Sequence, residues 1–103
     1  NFAFSMGYTN ASWTLKSDLV GEYVCRLLRH MDKHNLRMCV PTVPPEGVEV
    51  EPMMDFTSGY VLRSRDQMPK QGIAKPWRLY QNYILDRLSL GVGSVTDDSI
   101  KFS

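Results

Sequence analysis

Apolar residues recur at helical spacing from Leu15 onward: Leu15, Leu19, Val20, Tyr23, Val24, Leu27, Leu28 and Met31 share one side, with Lys16, Asp18, Glu22, Arg26, Arg29 and Lys33 opposite. This period predicts an amphipathic helix of about five turns. Gly21 in its middle costs about 1 kcal/mol relative to alanine, which predicts close approach of another backbone there. Ahead of the helix the period is two. Phe2, Phe4 and Met6 alternate with the small Ala3 and Ser5, the pattern of a short strand whose faces can both be covered.

Residues 37–56 break both periods. Pro41, Pro44, Pro45, Gly47 and Pro52 predict an irregular connection with short extended pieces at most. Beyond it, Ser58 to Gln67 predicts a short helix that Pro69 closes. Trp77 to about Leu88 predicts another, with Pro76 at its first position. Trp77, Tyr80, Tyr83, Ile84 and Leu88 form its apolar stripe, which reads as a docked face in preference to a substrate channel. Asp97 and Asp98 followed by Ile100 and Phe102 predict a turn and a short strand.

Composition narrows the class. The 103 residues carry 12 Lys+Arg against 11 Asp+Glu, a net charge of +1, which disfavours a nucleic-acid clamp. With 43% hydrophobic and 22% charged residues the chain folds, and its length allows one modest core. Charge is uneven: Glu46, Glu49, Glu51 and Asp55 stand together in the connection, between two more basic segments. No apolar run approaches the roughly 18 residues of a membrane span. The opening Asn1-Phe2-Ala3-Phe4-Ser5-Met6 has no basic n-region or apolar h-region, and it reads as a cut from something longer. Cys25 and Cys39 read as free thiols of a cytoplasmic protein. His30 and His34 lie one helical turn apart, but no Glu or Cys completes a metal set and Arg29, Lys33 and Arg37 repel a cation.

The linker between predicted strand and helix, Gly7-Tyr8-Thr9-Asn10-Ala11-Ser12-Trp13-Thr14, carries more chemistry than a turn requires. Gly7 permits a tight exit, and Thr9, Asn10, Ser12 and Thr14 are all competent N-caps. The first N–H groups of a helix lack internal partners and form the positive end of its dipole, so an acceptor oxygen there is stabilised without a charged side chain. Taken alone, these properties favour a capped turn with surplus polar residues over a ligand site. Asn10-Ala11-Ser12 also fits the glycosylation sequon, a match too common to weigh without a secretion signal.

The run from Asn1 to Met31, with Gly-Tyr-Thr-Asn-Ala-Ser-Trp-Thr-Leu-Lys at its centre, resembles the last strand and helix of the FAD-binding region in class B flavoprotein monooxygenases. Within that class the chain resembles the Baeyer-Villiger type, with its ethionamide-activating group. Asp55 to Arg63, Met68 to Gly72 and Pro76 to Tyr83 resemble the C-terminal region of the same group, in the same order. The resemblance implies an α/β fragment: residues 1–36 as the end of a Rossmann-like FAD-binding domain, 37–56 as a Pro-rich acidic connection, and 57–103 as a mostly helical and irregular covering segment. It implies an enzyme using FAD and NADPH, with O2 and a small organic molecule as substrates and the remainder of the monooxygenase chain as partner. Thr9, Asn10, Ala11 and Ser12 would run along the flavin and Trp13 would border the substrate pocket, with no catalytic residue and no metal ligand in this segment. Arg63, Arg65, Lys70, Lys75 and Arg78 could meet the 2'-phosphate of NADPH, though a solvated face is favoured. Gly91-Val92-Gly93 cannot serve as a dinucleotide fingerprint, so the adenine and phosphate sites are expected elsewhere. The competing expectation is a non-catalytic interaction module that docks through its apolar helix stripe.

Overall fold

A computed structural model describes residues 2–43, 49–53 and 59–103, with the side chains of Tyr60 and Val61 left aside. The architecture is small and mixed α/β, with helices and two antiparallel strand pairs among the described residues. It divides into two units. One joins the stretch up to Thr42 with Tyr80–Ser103, and the other is Val43–Leu79.

The first unit is built on the helix α1, Trp13–Lys33, 21 residues long. It ends where Asn35 takes a left-handed conformation (φ 54°), which asparagine tolerates better than most residues. The N–H of Leu36 then bonds back to the Met31 carbonyl at 2.9 Å, and His30 and Lys33 stand at the negative end of the helix dipole. Leu19 and Tyr8 are the largest fully buried side chains, whereas Leu15 and Leu28 stay exposed, so the predicted stripe is only partly covered.

Four departures from the sequence reading have identifiable causes. Residues 2–6 form no strand, because a ladder requires a neighbour and none pairs with them; Phe2 is 90% exposed. Gly21 meets nothing within 4 Å, so it is no packing contact among the described residues. Lys16, assigned to the polar side of α1, is buried. The helix predicted from Trp77 begins instead at Tyr83, because the backbone of Trp77 to Leu79 is engaged elsewhere: the Trp77 carbonyl accepts from Gly72 N–H at 3.0 Å, and Leu79 N–H donates to Gln71 Oε1 at 2.7 Å.

That later helix, α3, spans Tyr83–Asp86 and continues as a π-helical turn through Arg87–Gly91. Asn82 is its N-cap, its side chain accepting from the N–H groups of Ile84 and Leu85 at 3.0 and 3.2 Å. At the other end Arg26 of α1 donates to the carbonyls of Leu90 and Gly91, at 2.7 and 2.8 Å, and to that of Gly93. These are among the carbonyls a helix end leaves without partners. The strands β1 (Cys39–Pro41) and β4 (Ile100–Phe102) pair antiparallel, with Val40 opposite Lys101. Asp97 Oδ1 accepts from the Ser99 N–H at 3.0 Å just ahead of β4, so the predicted turn and strand are both present.

In the second unit, β2 (Val50–Pro52) pairs antiparallel with β3 (Lys70–Gly72). Between them lie α2, Gly59–Ser64, and a 3-10 turn over Arg65–Gln67 that stops two residues before Pro69. Glu46, Gly47, Asp55 and Ser58 lie outside the described residues.

Candidate functional site

The turn expected to face a ligand separates Gly7 from α1. Gly7 is buried, and a Cβ there would overlap the Trp13 indole, so only glycine lets that ring close over the incoming chain. Thr9, Asn10, Ala11 and Ser12 are all exposed, and Trp13 next to them is 56% exposed. Ser12 occupies the N-cap position, yet its side chain makes no cap bond; its Oγ lies 2.8 Å from Thr14 Oγ1 instead. The first turn of α1 contains no acid. Neither a carboxylate of its own first turn nor the Ser12 hydroxyl offsets the positive end of the dipole.

The surplus of polar residues has a second use. Thr9 donates its backbone N–H to Gln81 Oε1 at 3.0 Å and its hydroxyl to the same oxygen at 3.3 Å, while Asn10 Nδ2 donates to the Gln81 carbonyl at 3.2 Å. The segment entering α3 thereby clasps the turn.

On either side of the turn in sequence, Tyr8 and Lys16 converge on one carboxylate. Tyr8 Oη donates to Asp86 Oδ2 at 2.7 Å, and Lys16 Nζ donates to the same oxygen at 2.6 Å. The ammonium lies 5.4 Å from the Tyr8 ring centroid, within cation–π range. Tyr8, Lys16 and Asp86 are 1%, 6% and 4% exposed. Burial, followed by the hydrogen bond to Asp86 and its charge, pushes the Tyr8 hydroxyl well above the ordinary tyrosine range. The sequence reading did not single out this cluster, although a signal existed. Lys16 stands four and seven residues before Val20 and Tyr23, so it continues the apolar stripe, and a lysine in that position calls for an acid on the facing element.

Elsewhere the candidate chemistry is sparse. The rings of His30 and His34 lie 4.4 Å apart, with His30 also 5.2 Å from Phe102, and the described residues contain no group of three potential metal ligands. Cys25 and Cys39 are free. Arg63, Arg65, Lys70, Lys75 and Arg78 are exposed, and Arg78 donates to the Ile73 carbonyl at 3.2 Å. Trp77 is half-buried, and its indole N–H has no partner among the described residues. No helix of the described residues is long and apolar enough to cross a membrane. The turn itself presents N–H donors, hydroxyls and an aromatic plane, but no titratable side chain. Its groups suit orienting a polar heterocycle by hydrogen bonds and stacking.

Across its whole length the chain is similar to FAD-containing monooxygenases, and it spans about one fifth of their length. It is 52% identical over 103 residues to the FAD-containing monooxygenase EthA of Mycobacterium tuberculosis, covering 21% of that protein. EthA of Mycolicibacterium smegmatis is 45% identical over the same length, again with 21% covered. The "Probable FAD-binding monooxygenase AlmA" of Acinetobacter baylyi is 43% identical over 107 aligned residues, spanning 99% of this chain and 21% of AlmA. No family model matches the chain, and no solved structure matches it.

Proposed function

We propose that this chain is the C-terminal part of an FAD- and NADPH-dependent monooxygenase that works in the cytoplasm. It would insert one oxygen atom into a carbonyl substrate, as in Baeyer-Villiger oxidation, or oxidise a sulfur or nitrogen centre. The 52% identity to EthA over all 103 residues of this chain carries this reading. Residues 1–36 then close a Rossmann-like FAD-binding domain, with 37–56 as connection and 57–103 as covering segment. The overall balance is two electrons from NADPH, one oxygen atom of O2 to product and the other to water.

The turn residues fit a flavin. The N-terminus of α1 carries no first-turn acid and Ser12 does not cap it, which suits an electron-rich ring oxygen. Bound FAD would supply the redox chemistry and the activation of oxygen. Thr9, Asn10, Ala11 and Ser12 would hold its edge through backbone and side-chain donors, and the α1 dipole would favour negative charge there. Trp13 would limit the substrate pocket with its exposed indole face.

The test uses the full-length protein from its own gene. One FAD per chain, NADPH oxidation stimulated by a ketone or thioether, and a flavin absorption band shifted by Ala11→Leu are expected. A full-length protein that purifies without flavin, or an Ala11→Leu variant whose flavin spectrum is unchanged, would overturn the reading.

A further inference from the structure

We propose that Gln81 and Asp86 are positioning residues for the Thr9–Ser12 turn, so that the chain entering α3 sets the distance and tilt of that turn against the flavin. The inference rests on the function proposed above and extends it to residues remote in sequence.

Two independent attachments carry it. Gln81 reaches the turn directly, accepting from Thr9 through its side-chain oxygen at 3.0 and 3.3 Å and from Asn10 through its backbone at 3.2 Å. Asp86 acts on the flanks, where one buried oxygen accepts from Tyr8, the residue before the turn, and from Lys16 in the first turn of α1. The two attachments belong to one rigidly connected segment: Asn82 caps α3, and the Asp86 N–H bonds to the Asn82 carbonyl at 3.0 Å. The turn is thereby held at its start, along its length and just beyond its end by six consecutive residues, Gln81 to Asp86. Stability alone does not call for this arrangement, because well-packed apolar groups of similar volume commonly stabilise a fold as well as a buried ion pair does. What the network supplies is direction: two donors on a single buried oxygen fix where Tyr8 and Lys16 point.

Three variants of the full-length flavoprotein test the proposal, with thermal unfolding, the flavin absorption spectrum and the FAD dissociation constant as readouts. Gln81→Ala removes the clasp without stranding a charge. Tyr8→Phe/Lys16→Met/Asp86→Leu replaces the whole network by apolar groups, strands no buried donor and keeps a packed interior. Ala11→Leu reports whether the turn borders the flavin at all. We expect the first two to melt within a few degrees of the wild-type protein while the flavin band shifts and FAD binding weakens on the order of tenfold. If Ala11→Leu perturbs the flavin but neither of the other variants does, the positioning role is wrong and the proposed function stands. If Ala11→Leu also leaves the flavin untouched, the proposed function fails, and this inference with it.

Discussion

Lys16 and Asp86 are both withdrawn from water, and each is the other's counter-charge at 2.6 Å. Replacing Lys16 alone by methionine strands a buried carboxylate and is expected to destabilise by about 3–5 kcal/mol, whereas Tyr8→Phe/Lys16→Met/Asp86→Leu is expected to cost much less. Denaturant midpoints of the three proteins measure the difference, and equal losses in the single and triple variants would show that the network is not coupled. Tyr8 adds a pH signature. Its folded-state pKa is raised by burial and by Asp86, so its contribution to stability is fully present below the unfolded tyrosine value of about 10 and is lost as pH rises above it toward the higher folded value. Melting temperatures across that alkaline window should fall more steeply for the wild-type protein than for Tyr8→Phe. The sequence hid this cluster for a physical reason: a lysine's class suggests water, and its partner lies 70 residues away. The turn residues were legible as polar and cap-competent, but their binding to Gln81 was not, because no local period announces a long-range side-chain contact.

At the scale of elements, α1 was readable because a strong 3.6-residue period persists over about five turns, and β4 because a turn signal precedes an alternating pair. Gly21 shows what the period leaves out. With nothing within 4 Å of a side chain placed there, Gly21→Ala should stabilise α1 by about 1 kcal/mol, seen as a higher melting temperature. A loss of stability would mean that a neighbour covers this face of the helix. The helix predicted from Trp77 failed through tertiary override. Its apolar spacing is genuine, yet Gly72 and Gln71 bind the backbone of Trp77 and Leu79, and the start moves to Tyr83, capped by Asn82. Asn82→Ala should therefore cost about 1 kcal/mol through loss of the cap, whereas a helix starting at Trp77 would be indifferent to it.

At the scale of the molecule, Phe2, Phe4, Leu28, Ile84, Leu88 and Val92 are all more than half exposed. The chain produced alone should bind a hydrophobic dye and carry no flavin after purification, while the full-length protein should bind less dye per chain; equal dye binding would contradict coverage of these residues in the longer protein. The network around Asp86 also has a consequence in time. A ribosome adding about 5–20 residues per second needs on the order of 4–14 s to travel from Lys16 to Asp86. Throughout that interval the nascent α1 lacks its acid, and Arg26 lacks the carbonyls of Leu90 and Gly91. α1 is thus made well before the residues that lock it, and for those seconds its apolar side is open to any chaperone that meets the growing chain.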